Sequence, residues 1–305
     1  MKPSKTIVIF NPAANKGFAG RLEASLKKEM DDREDCTWNR TTKAGEGREI
    51  AQNAVCNGYD RIIAIGGDGT TAEVINGILS CPTGKQPTLG ILPVGSGNDF
   101  AGGLGISTNL KEALLKALGT KTRAVDIGTL QTDNADIYHW INVVGVGFDA
   151  VVDIHTRSMP VFSGFWLYFF SALKTILQNH NPYQFNGRMD DNVFQRRFLM
   201  LIISNGRREG GGFRIAPRAK LDDGLLDYVG VHEISRLRML MTLPYFLKGT
   251  QERLPYVESG SLKQLEIKTD RPMQIHADGE IIAGFDSTKT SLKIGILPGA
   301  IQIAC

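Results

Sequence analysis

"IIAIGGDGTTAEV", residues 62–74, is an apolar run that stops at two glycines, an aspartate and a third glycine before a helical pattern begins. A second apolar run, residues 88–94, ends in another glycine-rich stretch, "LPVGSGNDFAGGLG". The surrounding sequence repeats the alternation. Residues 6–10 read as a buried strand stopped by Asn11-Pro12, 20–30 as a helix charged on one side, and 46–57 as a helix closed by Gly58. Residues 61–65 read as a strand and 71–79 as a helix. In "NLKEALLKALG", Asn109 is placed as an N-cap with Glu112 at N3, and Gly119 as the C-cap. Strands alternating with helices of this length indicate βαβ units on a parallel sheet, over roughly the first 125 residues. Ligands of such sheets bind outside the carboxyl ends of the strands, where both glycine-rich junctions lie.

After Val125 the texture changes. Strand-like runs become frequent, at 137–146, 198–204, 225–231, 262–269, 273–277 and 291–297, with turn signals between many of them. This reads as a β-rich, antiparallel second domain. The 305 residues are too many for one typical core, which agrees with two domains. "MPVFSGFWLYFFSALKTIL", residues 159–177, stands apart, with many aromatics and Lys174 as its one charge. Three readings are open for it: a buried helix, a partly exposed apolar surface for lipid, or a transmembrane helix interrupted by Pro160 and Gly164.

Formal net charge is +3, too weak a bias to argue for nucleic acid, and no zinc-finger, RNP or basic-helix pattern supports that partner. Cys36, Cys56, Cys81 and Cys305 form no CxxC pair and have no histidine at zinc spacing. They read as reduced thiols of a cytoplasmic protein. "MKPSKTIVIFNP" lacks the apolar region of a signal peptide and reads as a first strand.

The glycines of Gly66-Gly67-Asp68-Gly69 let backbone N–H groups approach phosphate oxygens at a helix N-terminus. Asp68 repels phosphate unless a divalent cation lies between them, since Mg²⁺ is commonly held by carboxylates plus substrate phosphates. A tight turn with Asp68 as N-cap is the structural alternative. In the second junction Ser96 and Asn98 offer hydroxyl and amide groups for phosphate or ribose, and Asp99 can share the water shell of the same metal. Lys16, in "NPAANKG", follows a turn at a third strand end. "PRAKLDDGLLDY" carries Asp222 and Asp223 before Gly224, and "IHADGEII" carries Asp278 and Glu280 around Gly279. Both read as Asp-Gly hairpins. Functionally, the first is a cation loop and the second a proton acceptor for a substrate hydroxyl. His139, His155, His180 and His232 form no pattern.

In order, "NPAANKG", "GGDGTTAEVINGI", "LPVGSGNDFA", "VDIG", "INVVGVGFDA", "SNGRREGGGFRIAP", "AKLDDGLLD" and "HADGE" resemble the diacylglycerol kinase catalytic family, and within it the bacterial soluble lipid kinases similar to sphingosine and ceramide kinases. GGDGT alone is shared with NAD kinases and 6-phosphofructokinases. The resemblance implies an α/β nucleotide-binding domain, NAD kinase/phosphofructokinase-like, over residues 1–127, rejoined by 293–305. It implies a β-sandwich-like lipid-substrate domain over 128–292, with the active site in the cleft between them. It further implies ATP as donor, Mg²⁺, a lipid substrate at a membrane surface and, by family analogy, a homodimer.

Carried over residue by residue, Asn11, Pro12 and Ala13 match a nucleotide-contact segment, and Thr41 or Thr42 a contact after the second strand. Gly66, Gly67, Asp68, Gly69, Thr70, Thr71 and Ala72 match the phosphate loop, and Ser96 a further contact. Asp68, Asp99 and Asp126 match the acidic network that places Mg²⁺. Lys220, Asp223 and Leu225 match a structural metal loop. Asp278 matches the general base, with Glu280 the competing carboxylate. Asn15 stands where the family often has glycine, and asparagine tolerates the left-handed conformation. The expected activity is ATP-dependent phosphorylation of a lipid hydroxyl, diacylglycerol first. An NAD-kinase-like enzyme of a soluble metabolite and a non-catalytic nucleotide-binding protein are the alternatives.

Overall fold

The computed structural model describes residues 5–30, 36–81, 86–133, 135–159, 164–210 and 212–305. The chain forms two compact units, Met1–Val125 with Gly299–Cys305, and Asp126–Pro298.

In the first unit β1 (Thr6–Phe10), α1 (Glu23–Met30), β2 (Cys36–Arg40), α2 (Glu46–Cys56), β3 (Arg61–Gly66), α3 (Asp68–Leu79) and β4 (Thr88–Pro93) alternate as the apolar spacing predicts. α4 (Asp99–Gly103) and α5 (Leu110–Leu118) follow, and then β5 (Thr122–Thr132), which runs on into the second unit. The strands lie parallel in the order β2-β1-β3-β4, and Phe10 pairs with both Arg40 and Ile65. The strand order reverses direction at β1 and β3, the point at which such sheets hold ligands. β1 and β3 are apolar without alternation because both faces of the sheet are covered. Asn109 caps α5 as expected, its Oδ1 accepting the Lys111 N–H at 3.0 Å and the Glu112 N–H at 3.4 Å.

Two expectations change here. The helix read over 71–79 begins at Asp68, and its N-cap is Gly67, in extended conformation without a side-chain cap. Asp68 is therefore the first helical residue rather than the cap. The polar run Asp-Gly-Thr-Thr hid that first turn from the apolar periodicity. The helix read over 20–30 opens instead as a 3₁₀ turn, Ala19–Leu22. A pairing that no spacing rule finds also appears: the Cys56 and Cys81 thiols, at the ends of α2 and α3, lie 2.8 Å apart.

The second unit contains β6 (Tyr138–Trp140), β7 (Val143–Gly147), α6 (Phe148–Thr156), α7 (Gly164–Gln178), β8 (Tyr183–Met189), β9 (Asn192–Ser204), β10 (Leu226–His232), α8 (Arg236–Lys248), β11 (Val257–Leu262), β12 (Gln264–Thr269), β13 (Ile275–Ala277) and β14 (Glu280–Ala283). β15 (Ser291–Ala304) pairs antiparallel with β12 over residues 291–295 and ends in the first unit, where Ile303 pairs parallel with Leu89 of β4. The pairings β14-β13-β7-β9-β8-β12 are antiparallel throughout, and β10 joins the other edge of β9.

Alternation sorts the side chains onto two faces. Val144, Val146, Leu201 and Ile203 enter one core with Phe185, Phe198 and Ile275. Val143, Leu199 and Ile202 enter another with Phe148, Ile176, Met239 and Phe246 of the helices. The unit is thus β-sandwich-like with helices on one outer face. α6 and α8 went unread because their apolar residues sit among β-branched or basic neighbours.

Two expected strands are split. Residues 137–146 break at Ile141-Asn142 between β6 and β7, and 262–269 is the end of β11 plus β12, divided at Lys263. In both, polar backbone contacts outweigh apolar continuity. Lys263 N–H and Gln264 N–H both donate to Asp190 Oδ1 at 2.9 Å. The aromatic segment is a helix whose inner face, Ser171, Ala172, Thr175 and Ile176, is buried, while Trp166 and Leu177 are exposed. Pro160 lies outside the described residues. Among the described residues no helix is long and apolar enough to cross a membrane.

Candidate active site

At the carboxyl ends of β1, β2 and β3 the first unit opens a cavity of about 600 Å³ lined by Asn11, Pro12, Ala13, Thr41, Thr42, Gly69 and Thr70 together with Arg40, Lys43 and Glu73. Its residues are cross-tied. Asn11 Nδ2 donates to Thr70 Oγ1 at 2.9 Å, and Asn11 Oδ1 accepts the Ala13 N–H at 3.0 Å. Thr41 is buried with its hydroxyl toward Phe10 O, and the Thr42 hydroxyl donates to Glu46 Oε2 at 2.9 Å. The backbone and side chain of Thr42 and the N–H of Lys43 hold the Glu46 carboxyl below its ordinary pKa. Both threonines line the cavity. Glu73 accepts the Gly45 N–H at 2.8 Å and the Gly47 N–H at 3.0 Å, which fixes the start of α2 beside the cavity.

The two glycine-rich loops touch. Val94 N–H donates to Gly66 O at 2.8 Å, and a Cβ on Gly95 would lie 2.5 Å from Gly67 Cα. A side chain at either glycine would force the loops apart. Asp68 accepts the Asp99 N–H at 3.0 Å and the Phe100 N–H at 3.1 Å, and a Cβ on Gly97 would meet Asp68 Oδ2 at 3.3 Å and Asp99 Oδ2 at 3.7 Å. The two carboxylates therefore border one spot of backbone.

Other expected residues have different places. Thr71 and Ala72 are buried in α3, and the Thr71 hydroxyl donates to Gly67 O. The Asn98 amide holds its own loop, accepting from Gly95 N–H and donating to Gly95 O. Ser96 and Lys16 are exposed and do not line the cavity. Asn15 and Lys16, at φ 51° and 54°, are both left-handed, so the turn survives without the family's glycine.

In the second unit Asp126 joins the 220–225 loop: Gly224 N–H donates to its Oδ2 at 2.7 Å, and its own N–H donates to Leu221 O. Lys220 and Asp223 are exposed, and Asp223 Oδ1 accepts the Leu225 N–H at 3.2 Å. Among the described residues no strand directly precedes this Asp-Gly, β9 having ended at Ser204, so the hairpin expected there is instead a loop anchored on Asp126. The Asp278-Gly279 turn is a hairpin turn, left-handed at both residues with φ 50° and 81°. Asp278 collects three backbone donors, Ile141 at 2.7 Å on Oδ2 and Asn142 at 2.8 Å and Val143 at 2.9 Å on Oδ1. That demand breaks the strand at 141–142. Burial raises the Asp278 carboxyl above its ordinary range, against the pull of these donors and of His276. Glu280 is exposed and pairs with Arg157 at 3.3 Å.

Asn205, fully buried, ties the two loops together. Its Nδ2 donates to Asp126 O at 2.8 Å and to Ile141 O at 2.9 Å. Beside Asp278, the buried His276 ring meets Asp149 Oδ2 at 2.8 Å and Glu209 Oε1 at 3.4 Å through Nε2, and Asp153 Oδ2 at 3.0 Å through Nδ1. Burial alone would lower the imidazole pKa. Asp153, Glu209 and Asp149 outweigh it and raise it well above the ordinary value.

Residues 5–130 match the family model of the diacylglycerol kinase catalytic domain, and residues 142–305 that of the YegS C-terminal NAD kinase beta sandwich-like domain. The chain belongs to the diacylglycerol kinase catalytic family. A probable lipid kinase YegS-like from Chromohalobacter salexigens is 35% identical over 269 residues, covering 87% of this chain and 82% of the relative. The diacylglycerol kinase of Bacillus subtilis is 28% identical over 280 residues, covering 90% and 88%. A crystal structure of a putative diacylglycerol kinase from Bacillus anthracis superposes with a TM-score of 0.78 at 24% identity, over 100% of this chain and 96% of that one, and so shares its fold.

Membership of this lipid kinase family implies use of ATP. Mg²⁺ is general for kinases, and the residues present fit it: Asp68 and Asp99 are neighbouring carboxylates that border the backbone at Gly97, a donor set of the oxygen type this ion takes. Sequence reasoning missed Arg40, Lys43, Glu73, Asp149, Asp153, Asn205, Glu209 and His276. Arg40 to Lys43 had a signal, since residues just after a parallel strand face its ligand. Glu73 reaches the start of α2 from α3, and Asp149, Asp153, Asn205, Glu209 and His276 meet through pairings between β7, β9 and β13, none of which a local spacing records.

Proposed function

We propose that the protein transfers the γ-phosphoryl group of ATP to the hydroxyl of a membrane lipid, diacylglycerol before others, giving phosphatidic acid and ADP. The observation that carries the lipid reading is the outer face of α8. Leu237, Leu240, Met241 and Tyr245, spaced at i, i+3, i+4 and i+8, are 66%, 42%, 53% and 39% exposed, while Met239, Leu243 and Phe246 on the opposite side are buried. A helix apolar on both faces, with Arg236, Arg238 and Lys248 among them, suits an anionic bilayer surface. Trp166 of α7, 58% exposed, adds a residue suited to the interface. That the Bacillus subtilis relative is a diacylglycerol kinase supports diacylglycerol as the acceptor.

In this reading Asn11, Pro12, Ala13, Thr41 or Thr42, and the N–H groups of residues 66–69 hold the nucleotide, and Asp68 and Asp99 hold Mg²⁺. Held by these carboxylates, the ion would supply positive charge to offset that of the phosphates. Asp278 Oδ2, with one N–H donor, keeps a lone pair for the proton of the lipid hydroxyl. The lipid's hydroxyl oxygen, giving up that proton, bonds to the γ-phosphorus as the bond from phosphorus to the bridging oxygen of ADP breaks. Asp126, Asp223 and the carbonyls of Lys220 and Leu225 hold a structural cation.

The test is turnover of labelled ATP with dioleoylglycerol in anionic vesicles, the product identified by mass. Phosphatidic acid is expected. Phosphate transfer to NAD alone, or bound ATP inert toward a lipid panel, overturns the proposal. Leu237→Glu combined with Met241→Glu is expected to lower turnover on vesicles at least tenfold while sparing a short-chain soluble diacylglycerol.

A further inference from the structure

We propose that Asp149, Glu209 and His276 form a binding site for a first-row divalent cation of the Mn²⁺ or Zn²⁺ class, separate from the Asp68–Asp99 pair and from the 220–225 loop. One ligand atom from each, Asp149 Oδ2, Glu209 Oε1 and His276 Nε2, lies within 4.8 Å of the other two. About 3.3 Å separates neighbouring ligand atoms around a four-coordinate ion with bonds near 2 Å. The observed separations from Nε2, 2.8 Å to Asp149 and 3.4 Å to Glu209, bracket that value. One imidazole with two carboxylates is a donor set for Zn²⁺ or Mn²⁺ rather than for a thiolate-seeking ion.

Charge points the same way. Three carboxylates, Asp149, Asp153 and Glu209, surround one histidine, with side-chain exposures of 16%, 5%, 13% and 0% in that order. A protonated imidazole leaves two negative charges uncompensated in a buried place, whereas a divalent ion on a neutral imidazole leaves one.

Two independent features mark the cluster as open to a ligand. Asp153 is 4% exposed, and its Oδ2 faces His276 Nδ1 at 3.0 Å without the alignment of a hydrogen bond. A metal on Nε2 fixes the proton on Nδ1, and a small ring rotation then aligns Nδ1–H with Asp153, the carboxylate–histidine–metal arrangement. Next, a cavity of about 50 Å³ opens onto Asp149, Asp153 and Glu209, with Phe148, Val152 and Phe213 among its apolar walls. That volume holds more than one water, enough to complete a coordination shell. Gly145 makes the approach possible, since a Cβ there would lie 2.0 Å from Asp149 Oδ2 and 2.2 Å from His276 Nε2.

The experiment reads binding rather than turnover, so it stands apart from the lipid reading. Full-length protein is stripped with EDTA, then titrated with Mn²⁺ by electron paramagnetic resonance and with Zn²⁺ by calorimetry, without nucleotide. The Asp223→Asn protein, which lacks the carboxylate of the 220–225 loop, serves as the parent, and one equivalent is expected to bind to it, with a rise in melting temperature. Affinity is expected to fall at least tenfold when Glu209→Gln or Asp149→Asn is added to this parent, and to persist when Asp68→Asn is added. Glu209→Gln is the decisive variant, because it keeps the side-chain shape if His276→Gln fails to fold. No binding without nucleotide, or binding that survives both Glu209→Gln and Asp149→Asn, overturns the proposal. So does a melting temperature raised by alkylammonium ions and not by Mn²⁺ or Zn²⁺, which would assign the cluster to an amine.

Discussion

Replacing Asp278 by asparagine separates its backbone anchoring from its proposed role as base. The carboxylate accepts N–H groups from Ile141, Asn142 and Val143 at 2.7, 2.8 and 2.9 Å. Hydrogen bonds to a charged acceptor contribute about 1.5–3 kcal/mol each and neutral ones about 0.5–1.5 kcal/mol. In Asp278→Asn the amide oxygen keeps Asn142 and Val143, now as neutral bonds, while the amide nitrogen faces the Ile141 N–H and loses that one. Asparagine tolerates the left-handed backbone at φ 50°, so the turn itself costs nothing further. The midpoints of these ranges give an expected loss of about 4–5 kcal/mol. For a unit of this size that lowers the melting temperature by about 8–20 °C. Asp278→Ala leaves three donors unmatched and adds about 1–2 kcal/mol of left-handed strain. Its total approaches the whole stability of a typical domain, which makes it the wrong variant for a kinetic test. Urea unfolding followed by circular dichroism measures the asparagine effect. A stability within about 1 kcal/mol of the parent would refute the three-donor anchor. The same protein, assayed on dioleoylglycerol, is expected to lose about 10²–10⁴-fold in kcat with ATP affinity unchanged. Retained turnover would refute the base and leave the anchor standing.

Glu73→Gln, whose amide keeps one of the N–H bonds from Gly45 and Gly47 as a neutral bond and loses the other, is expected to cost about 3 kcal/mol and weaken ATP binding several-fold in calorimetry; unchanged affinity would remove Glu73 from the proposed nucleotide site. Burial lowers the pKa of His155, against its Nε2 contact with Asn179 Oδ1 at 3.0 Å. Its contribution to stability is therefore present above the ordinary value of about 6.5 and lost as pH falls through the folded value, a slope that denaturant titrations should find in the parent and not in His155→Gln. Oxidised glutathione is expected to join Cys56 to Cys81 with release of two glutathione thiols, read as an internal cross-link by peptide mass mapping. Stable glutathione adducts at both cysteines, without the cross-link, would show that the 2.8 Å approach is not reactive.

The first unit was legible because its information is local. Apolar runs, glycine stops and the Asn109 cap each act within a few residues, and parallel βαβ order follows from their alternation. Many of the cavity residues, Asn11 to Ala13, Thr41, Thr42, Gly69 and Thr70, were legible for the same reason, since they closely follow β1, β2 and β3, whereas Arg40, Lys43 and Glu73 were not read. The second unit is held by contacts of long separation. Asp278 reaches back to residues 141–143, and Asn205 joins residue 126 to residue 141. Apolar content reads residues 137–146 as one strand. What breaks it is a carboxylate more than a hundred residues away.

The dipeptide Asp-Gly shows how far local chemistry reaches. It occurs at 68–69, 223–224 and 278–279, and it adopts three conformations. At Asp68 the following residues carry helical periodicity, and the pair becomes the first turn of α3, where a carboxylate meets the helix dipole. Asp278-Gly279 has short apolar runs on both sides, and it becomes a hairpin turn with both residues left-handed. Asp223-Gly224 has an apolar run on one side only, and Gly224 alone is left-handed, held by its N–H to Asp126. The dipeptide supplies a flexible joint and a charge, and its flanks decide the geometry. In each case the aspartate oxygens finish on backbone N–H groups: Asp99 and Phe100, Leu225, and residues 141–143. These carboxylates thus order the very loops that carry the proposed chemistry, so any substitution at one of them has to be read for stability before it is read for catalysis.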